Sequence, residues 1–180
     1  MKQDIEQMLF SAEAIQEKVV ELGKTIAADF KDKNPLLIGV LKGSFVFMAD
    51  LVRALDIPCQ LEFMGVSSYG NKSETTGAVK ITRDLECDIE GRHVIVVEDI
   101  LDSGLTLSYL MKYLANRRPA SVEICTLLDK PERRRVDVHP RYKGFTIPDA
   151  FVVGYGLDFA ECYRNLPYIG VLKPSVYGGC

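Results

Sequence analysis

Twice in this chain a short run of branched apolar residues ends in a glycine-containing turn and passes directly into an apolar pattern of helical period. The first instance is Leu36 to Leu41, then Lys42-Gly43-Ser44, then Phe45, Met48, Val52 and Leu55. The second is His93 to Val97, then Asp102 to Thr106, then Leu107, Leu110, Met111 and Leu114. Strand, glycine turn and helix are the parts of a parallel unit, because a parallel pairing needs a crossover and a helix supplies it. Ser121 to Leu128 adds a further strand, and Ser11 can cap a helix whose Ile15, Val19, Leu22, Ile26 and Phe30 recur at helical spacing. This order predicts an α/β fold, a largely parallel central sheet flanked by helices, with ligands at the carboxyl ends of the strands.

A length of 180 residues suits a single domain. Residues 145–180 mix short strand-like pieces with turns and read as a small hood formed by terminal segments. Ser67 to Thr76, SSYGNKSETT, is polar and carries no strong period, so a mobile lid around 67–77 and an exposed hairpin both stay open. The net charge is -3, and the short runs Arg117-Arg118 and Arg133-Arg134-Arg135 read as solvated loops, which excludes a nucleic-acid groove. No 18 apolar residues run together, so no membrane span is expected. Five cysteines in no CxxC spacing read as reduced thiols, and with the acidic start MKQDIEQMLF they point to a cytoplasmic protein.

The residues with chemistry cluster in VVEDILDSGLTL, Val96 to Leu107. The apolar run delivers Glu98 and Asp99 to the rim of the sheet, where paired carboxylates suit a hydroxyl or a metal ion. Asp102-Ser103-Gly104-Leu105-Thr106 then turns into a helix whose first amides, positive dipole end and hydroxyls suit a phosphate monoester. A strand followed by D-x-G can also be no more than an Asp-capped turn. The length of this stretch argues for more: carboxylates for a sugar and its metal, followed by donors for a phosphate.

These twelve residues resemble the phosphoribosyl diphosphate (PRPP) signature of the type I phosphoribosyltransferases. Leu41-Lys42-Gly43, Ser68-Tyr69, Asp129-Lys130 and IPDAFVVGYGLDFAECYR, Ile147 to Arg164, follow in the order of the branch of that family that uses hypoxanthine. The resemblance implies that Glu98 and Asp99 meet the ribose hydroxyls and the attached magnesium (Mg2+). It makes Asp102 the general base near N7 of the purine, and Ser103, Gly104, Leu105 and Thr106 the holders of the 5'-phosphate. Lys42, Gly43 and Arg164 fall to the pyrophosphate, with a cis peptide common before the lysine in this family. Lys130 falls to the 6-oxo group, Phe151 to stacking on the ring and Val152 to its edge, Asp158 to a second magnesium, and Ser68 and Tyr69 to the lid. Without the resemblance, Lys42 and Arg164 would read as surface charges, Phe151 as a core residue and Asp158 as a turn residue.

The implied reaction displaces pyrophosphate from PRPP by a 6-oxopurine, a step of purine salvage giving IMP or GMP. The family also implies a homo-oligomer, a dimer or tetramer. Two rivals fit less well. A regulator of this fold that binds nucleic acid would need a basic face, and a dehydrogenase or phosphate-loop NTPase would need GxGxxG or GxxxxGK[ST] after a strand.

Overall fold

The computed structural model describes residues 1–69 and 78–178. Its centre is a six-stranded sheet built from β2 (Leu36–Leu41), β3 (Gln60–Tyr69), β4 (Ala78–Arg83), β5 (His93–Leu101), β6 (Ser121–Asp129) and β7 (Tyr142–Thr146), in the order β4-β3-β2-β5-β6-β7. All neighbours are parallel except β3 and β4. Three longer helices cover it, α1 (Ala12–Asp29), α2 (Phe45–Ala54) and α3 (Leu105–Ala115).

Alternation along the strands assigns each helix its face. Leu37, Ile95 and Val97 pack with Ile15, Val19, Leu22 and Ile26 of α1 and with Phe47, Met48 and Leu51 of α2. Leu36, Ile38, Val94 and Val96 pack with Leu107, Leu110 and Leu114 of α3. Ser11 caps α1 as its sequence position implies, accepting the Ala14 N–H at 3.2 Å. Gly23 is where α1 meets α2, since a Cβ there would stand 2.6 Å from the Ala54 carbonyl oxygen.

The helix after β2 leads outward to β3, and the helix after β5 leads the opposite way to β6. The two central strands are therefore a topological switch point, the place where an open α/β sheet leaves a crevice at its carboxyl edge. β2 and β5 pair only as far as Gly39 with Val97. Beyond that register β2 follows β3 to Gly65, while β5 follows β6 to Asp129.

A second, three-stranded antiparallel sheet forms the hood from β1 (Ile5–Phe10), β9 (Ile169–Leu172) and β8 (Val152–Val153), in that order. A short helix, α4 (Pro174–Tyr177), follows β9. The hood thus draws on both chain ends, and Asp4 ties them by accepting the Lys173 N–H at 2.9 Å and the Tyr163 hydroxyl at 3.1 Å.

Several expectations are corrected. β5 does not stop at Val97 but runs through Glu98 and Asp99 to Leu101, because β6 keeps pairing with it. The buried face of α2 is Phe47, Met48 and Leu51, leaving Phe45 45% exposed, because only the former face reaches the sheet. Phe145 lies in β7, so the central sheet extends past the expected start of the hood at 145. Ser67, Ser68 and Tyr69 finish β3 and pair with β4, which favours the hairpin reading over a loop at those three positions. The rest of the expected lid, residues 70–77, lies outside the described residues.

Candidate active site

The crevice at the switch point is a cleft of about 220 Å³ lined by Gly43, Glu98, Asp99, Asp102, Ser103 and Thr106, among others. Glu98 is only 8% exposed. Burial, reinforced by the charge of Asp99, holds its carboxyl well above the usual carboxylate range. Burial also pushes Asp99 up to about 6, opposed by the Ile100 N–H and by the positive charge of Arg164. The turn after β2 closes directly over this pair. A Cβ on Gly43 would lie 1.7 Å from Asp99 Oδ2, so only glycine leaves the carboxylate its place. The Leu41–Lys42 peptide is cis.

Two adjacent carboxylates that are costly to ionise form a donor set that a hard divalent cation relieves, so the residues fit magnesium. Among the described residues no cluster of three or more His, Cys, Asp or Glu exists that could hold a metal. A cation at Glu98 and Asp99 would therefore draw its remaining oxygen ligands from substrate and water, as Mg2+ at phosphate sites commonly does.

The loop that follows is shaped for an anion. Gly104 takes a left-handed φ of 81° before α3, and a Cβ there would sit 3.0 Å from Arg134 Cδ and from Val136 Cγ2. The first bond inside the helix runs from Ser108 N–H to Gly104 O, 2.8 Å, so the amides of Leu105, Thr106 and Leu107 have no acceptor within the helix and stand at its positive end.

Beneath this loop lies a feature the sequence reading missed. Arg134 donates from Nε to Asp102 O at 3.0 Å, from Nη2 to Leu101 O at 3.4 Å and from Nη1 to Val138 O at 2.5 Å, and it forms an ion pair with buried Asp129. Arg135 N–H bonds to Ser103 O at 2.9 Å, and Lys130 N–H to Leu101 O at 2.9 Å. Arg133 Nε stands 3.1 Å from Asp102 Oδ1, a buried oxygen with no hydrogen bond among the described residues. The expectation that Arg133-Arg134-Arg135 is a solvated run holds for Arg133 and Arg135, which are exposed, and is corrected for Arg134, whose side chain is largely buried. The signal was available: cationic residues directly follow a strand end whose last apolar run leads into an aspartate.

The remaining expected site residues lie in two groups beside the cleft. Lys130 is buried, with Nζ 3.7 Å from Asp149 Oδ1. Val152 is buried in β8, and Phe151 keeps 37% of its surface exposed while its ring stacks on Tyr177 at 4.8 Å and meets the edge of Phe159 at 5.6 Å. The second group is ionic. Arg164 pairs with Asp158 at 2.9 Å and donates to Gly156 O at 2.8 Å, and Lys42 pairs with Glu161 at 3.0 Å. Arg164 Nε is buried without a partner among the described residues. The structure brings Glu98, Asp99, Asp102, Ser103, Gly104 and Thr106 together around one cleft, with Gly43 at its lip. Lys130 joins it through the Leu101 carbonyl, whereas Phe151 is not among the described residues that line it. The side chains of Ser68 and Tyr69 lie outside the described residues.

A doubly wound sheet, a carboxylate pair at its switch point and an anion loop opening α3 define a nucleotide- or phosphosugar-handling α/β protein. The profile of the family described as phosphoribosyl transferase domain matches residues 7–160. The hypoxanthine-guanine phosphoribosyltransferase of Bacillus subtilis is 56% identical over 98% of both chains. A bifunctional TilS/HprT protein of Listeria monocytogenes is 51% identical over 98% of this chain, which spans 27% of that longer protein. Among solved structures, a hypoxanthine phosphoribosyltransferase from Staphylococcus aureus superposes with a TM-score of 0.95 at 48% identity, covering 98% of this chain and 96% of that one. The chain belongs to the phosphoribosyltransferases, a family of pentosyltransferases, and within them to the hypoxanthine-guanine group.

Proposed function

We propose that this enzyme transfers the 5-phosphoribosyl group of PRPP to hypoxanthine and to guanine, giving IMP or GMP and pyrophosphate. The observation that carries the reading is the joint position of Glu98, Asp99, Asp102 and the Ser103–Thr106 loop around the one cleft at the switch point. The amides opening α3 and the hydroxyls of Ser103 and Thr106 hold the 5'-phosphate. Glu98 and Asp99 take the ribose hydroxyls and would hold the magnesium, which would supply charge neutralisation for the leaving pyrophosphate. Lys42 and Arg164 bind that pyrophosphate, and Asp158 is the candidate for a second metal.

Asp102 accepts the proton from N7 as the opposite imidazole nitrogen attacks C1 of the ribose. Its backbone is fixed by Arg134, and Arg133 beside Oδ1 keeps a cation near the developing acid. Lys130 donates to the 6-oxo group, Phe151 stacks on the ring and the Val152 backbone reads its edge. A 6-amino group would present hydrogens to that lysine, so adenine is refused.

Free thiols at Cys59, Cys87, Cys125 and Cys162 support a reducing compartment, the cytoplasm. No described helix is long and apolar enough to cross a membrane. Assembly into a homo-oligomer through the region of Leu41-Lys42-Gly43 belongs to the same reading and rests on the likeness to the family.

The test is nucleotide formation from PRPP with hypoxanthine, guanine, xanthine and adenine in parallel, with and without a chelator. The expected result is turnover of the 6-oxopurines, none of adenine, and loss of turnover on chelation restored by Mg2+. Turnover of adenine at the rate of hypoxanthine would overturn the substrate reading.

A further inference from the structure

Glu161 touches both cations assigned above to pyrophosphate. Its Oε2 lies 3.0 Å from Lys42 Nζ and 3.6 Å from Arg164 Nη2. All three side chains line one cleft of about 410 Å³, next to the one that holds Glu98 and Asp99, and the two clefts share Leu41 and Val66. The contact is not an accident of a floppy surface loop. Glu161 stands at the tip of a tight turn closed by paired bonds between Phe159 and Cys162, 3.2 and 2.9 Å. Its own N–H donates to Asp158 Oδ2 at 2.8 Å, and Ala160, Glu161 and Tyr163 all hold left-handed φ values, 50°, 63° and 75°. Non-glycine residues persist there only where their surroundings impose it, so the turn aims the carboxylate.

A carboxylate oxygen shared between an ammonium and a guanidinium makes the contacts that a phosphoryl oxygen would make in the same place. The side chains of Lys42 and Glu161 are 67% and 66% exposed, so water and salt screen the pair and it holds only weakly. A diphosphate carries several negative charges and can engage the arginine fork with two oxygens, so it displaces a single exposed carboxylate.

We propose that Glu161 is a displaceable stand-in for pyrophosphate, holding Lys42 and Arg164 and competing with the pyrophosphate group for them. This rests on the reading that those two cations bind pyrophosphate. The carboxylate keeps the cations from collapsing onto Glu98 and Asp99 before substrate arrives. By returning as the product leaves, it lowers the affinity for free pyrophosphate and speeds its release.

The test is the Kd of inorganic pyrophosphate, with Mg2+ present, for the full chain and for Glu161→Gln, Glu161→Asp and Lys42→Met, measured by calorimetry alongside KM values. Losing an exposed competitor, Glu161→Gln tightens pyrophosphate about three- to fivefold and lowers KM for PRPP in step, with KM for hypoxanthine unchanged. Glu161→Asp keeps the charge on a shorter arm and falls between the two. Pyrophosphate binding that is equal or weaker in Glu161→Gln overturns the proposal and makes Glu161 a residue that only positions the cations. If Lys42→Met leaves pyrophosphate affinity unchanged, the assignment of these cations to pyrophosphate fails instead, whatever Glu161 does.

Discussion

Asp99 shows what the site demands of single residues. Its folded carboxyl holds a proton up to about pH 6, against about 3.8 in an ordinary setting, because burial makes the charged form costly. Between those values the folded chain binds more protons than the unfolded one, so stability falls as pH rises through that window. Asp99→Asn removes the cost, and the ligand-free protein should gain about 1 to 3 kcal/mol at neutral pH in denaturant titrations while losing most of its turnover. A variant that is both less stable and fully active would contradict this. Gly43 is the complementary case. Gly43→Ala puts a methyl where Asp99 Oδ2 stands, so kcat/KM for PRPP should fall about tenfold or more, with the far-UV circular dichroism unchanged. The need for glycine there was invisible in the sequence, because the clash is with a residue 56 positions along the chain.

At the scale of elements, function depends on how the ends of β5 and β6 are locked together. Arg134 binds the Leu101 and Asp102 carbonyls on one side and the Asp129 carboxylate on the other, with its side chain largely buried. Removing one partner of a buried ion pair leaves the other uncompensated, at about 3 to 5 kcal/mol. Arg134→Met and Asp129→Asn should each destabilise by that order, and the double variant by clearly less than the sum, in equilibrium unfolding of all four proteins. Strict additivity would show that the pair does not couple. How far elements could be read from sequence followed the range of the forces that make them. Ser11 and the spacing of Ile15, Val19, Leu22 and Ile26 are local signals, and α1 stands as they predict. β1 is a hood strand only because β9, about 160 residues later, offers it an edge, and its run of Glu6, Gln7 and Met8 carries no alternation to announce that. β5 read as too short because its last turns of pleat carry the charge that the site needs.

On the scale of the whole molecule, the fold turns a local motif into a site. Crossovers that leave β2 and β5 in opposite directions open the crevice, and the same two strand ends carry Gly43 and Glu98-Asp99 into it. The residues around this crevice were legible because consecutive chain positions supply most of them. The supports were not, since Arg134, Asp149 and Glu161 reach the site across the sheet edge from distant segments. The hood adds Phe151 on a ring stack with Tyr177, so the proposed stacking face for the purine belongs to the hood, while the cleft proposed for the phosphosugar belongs to the central sheet. That division makes the account testable at the atom where the two substrates meet. The most direct measurement is initial-rate kinetics of Asp102→Asn with PRPP and hypoxanthine, where the account predicts that kcat falls by about two orders of magnitude while KM for PRPP stays within about twofold. Full turnover in that variant, or loss of PRPP binding with it, would contradict the placement of the general base at Asp102.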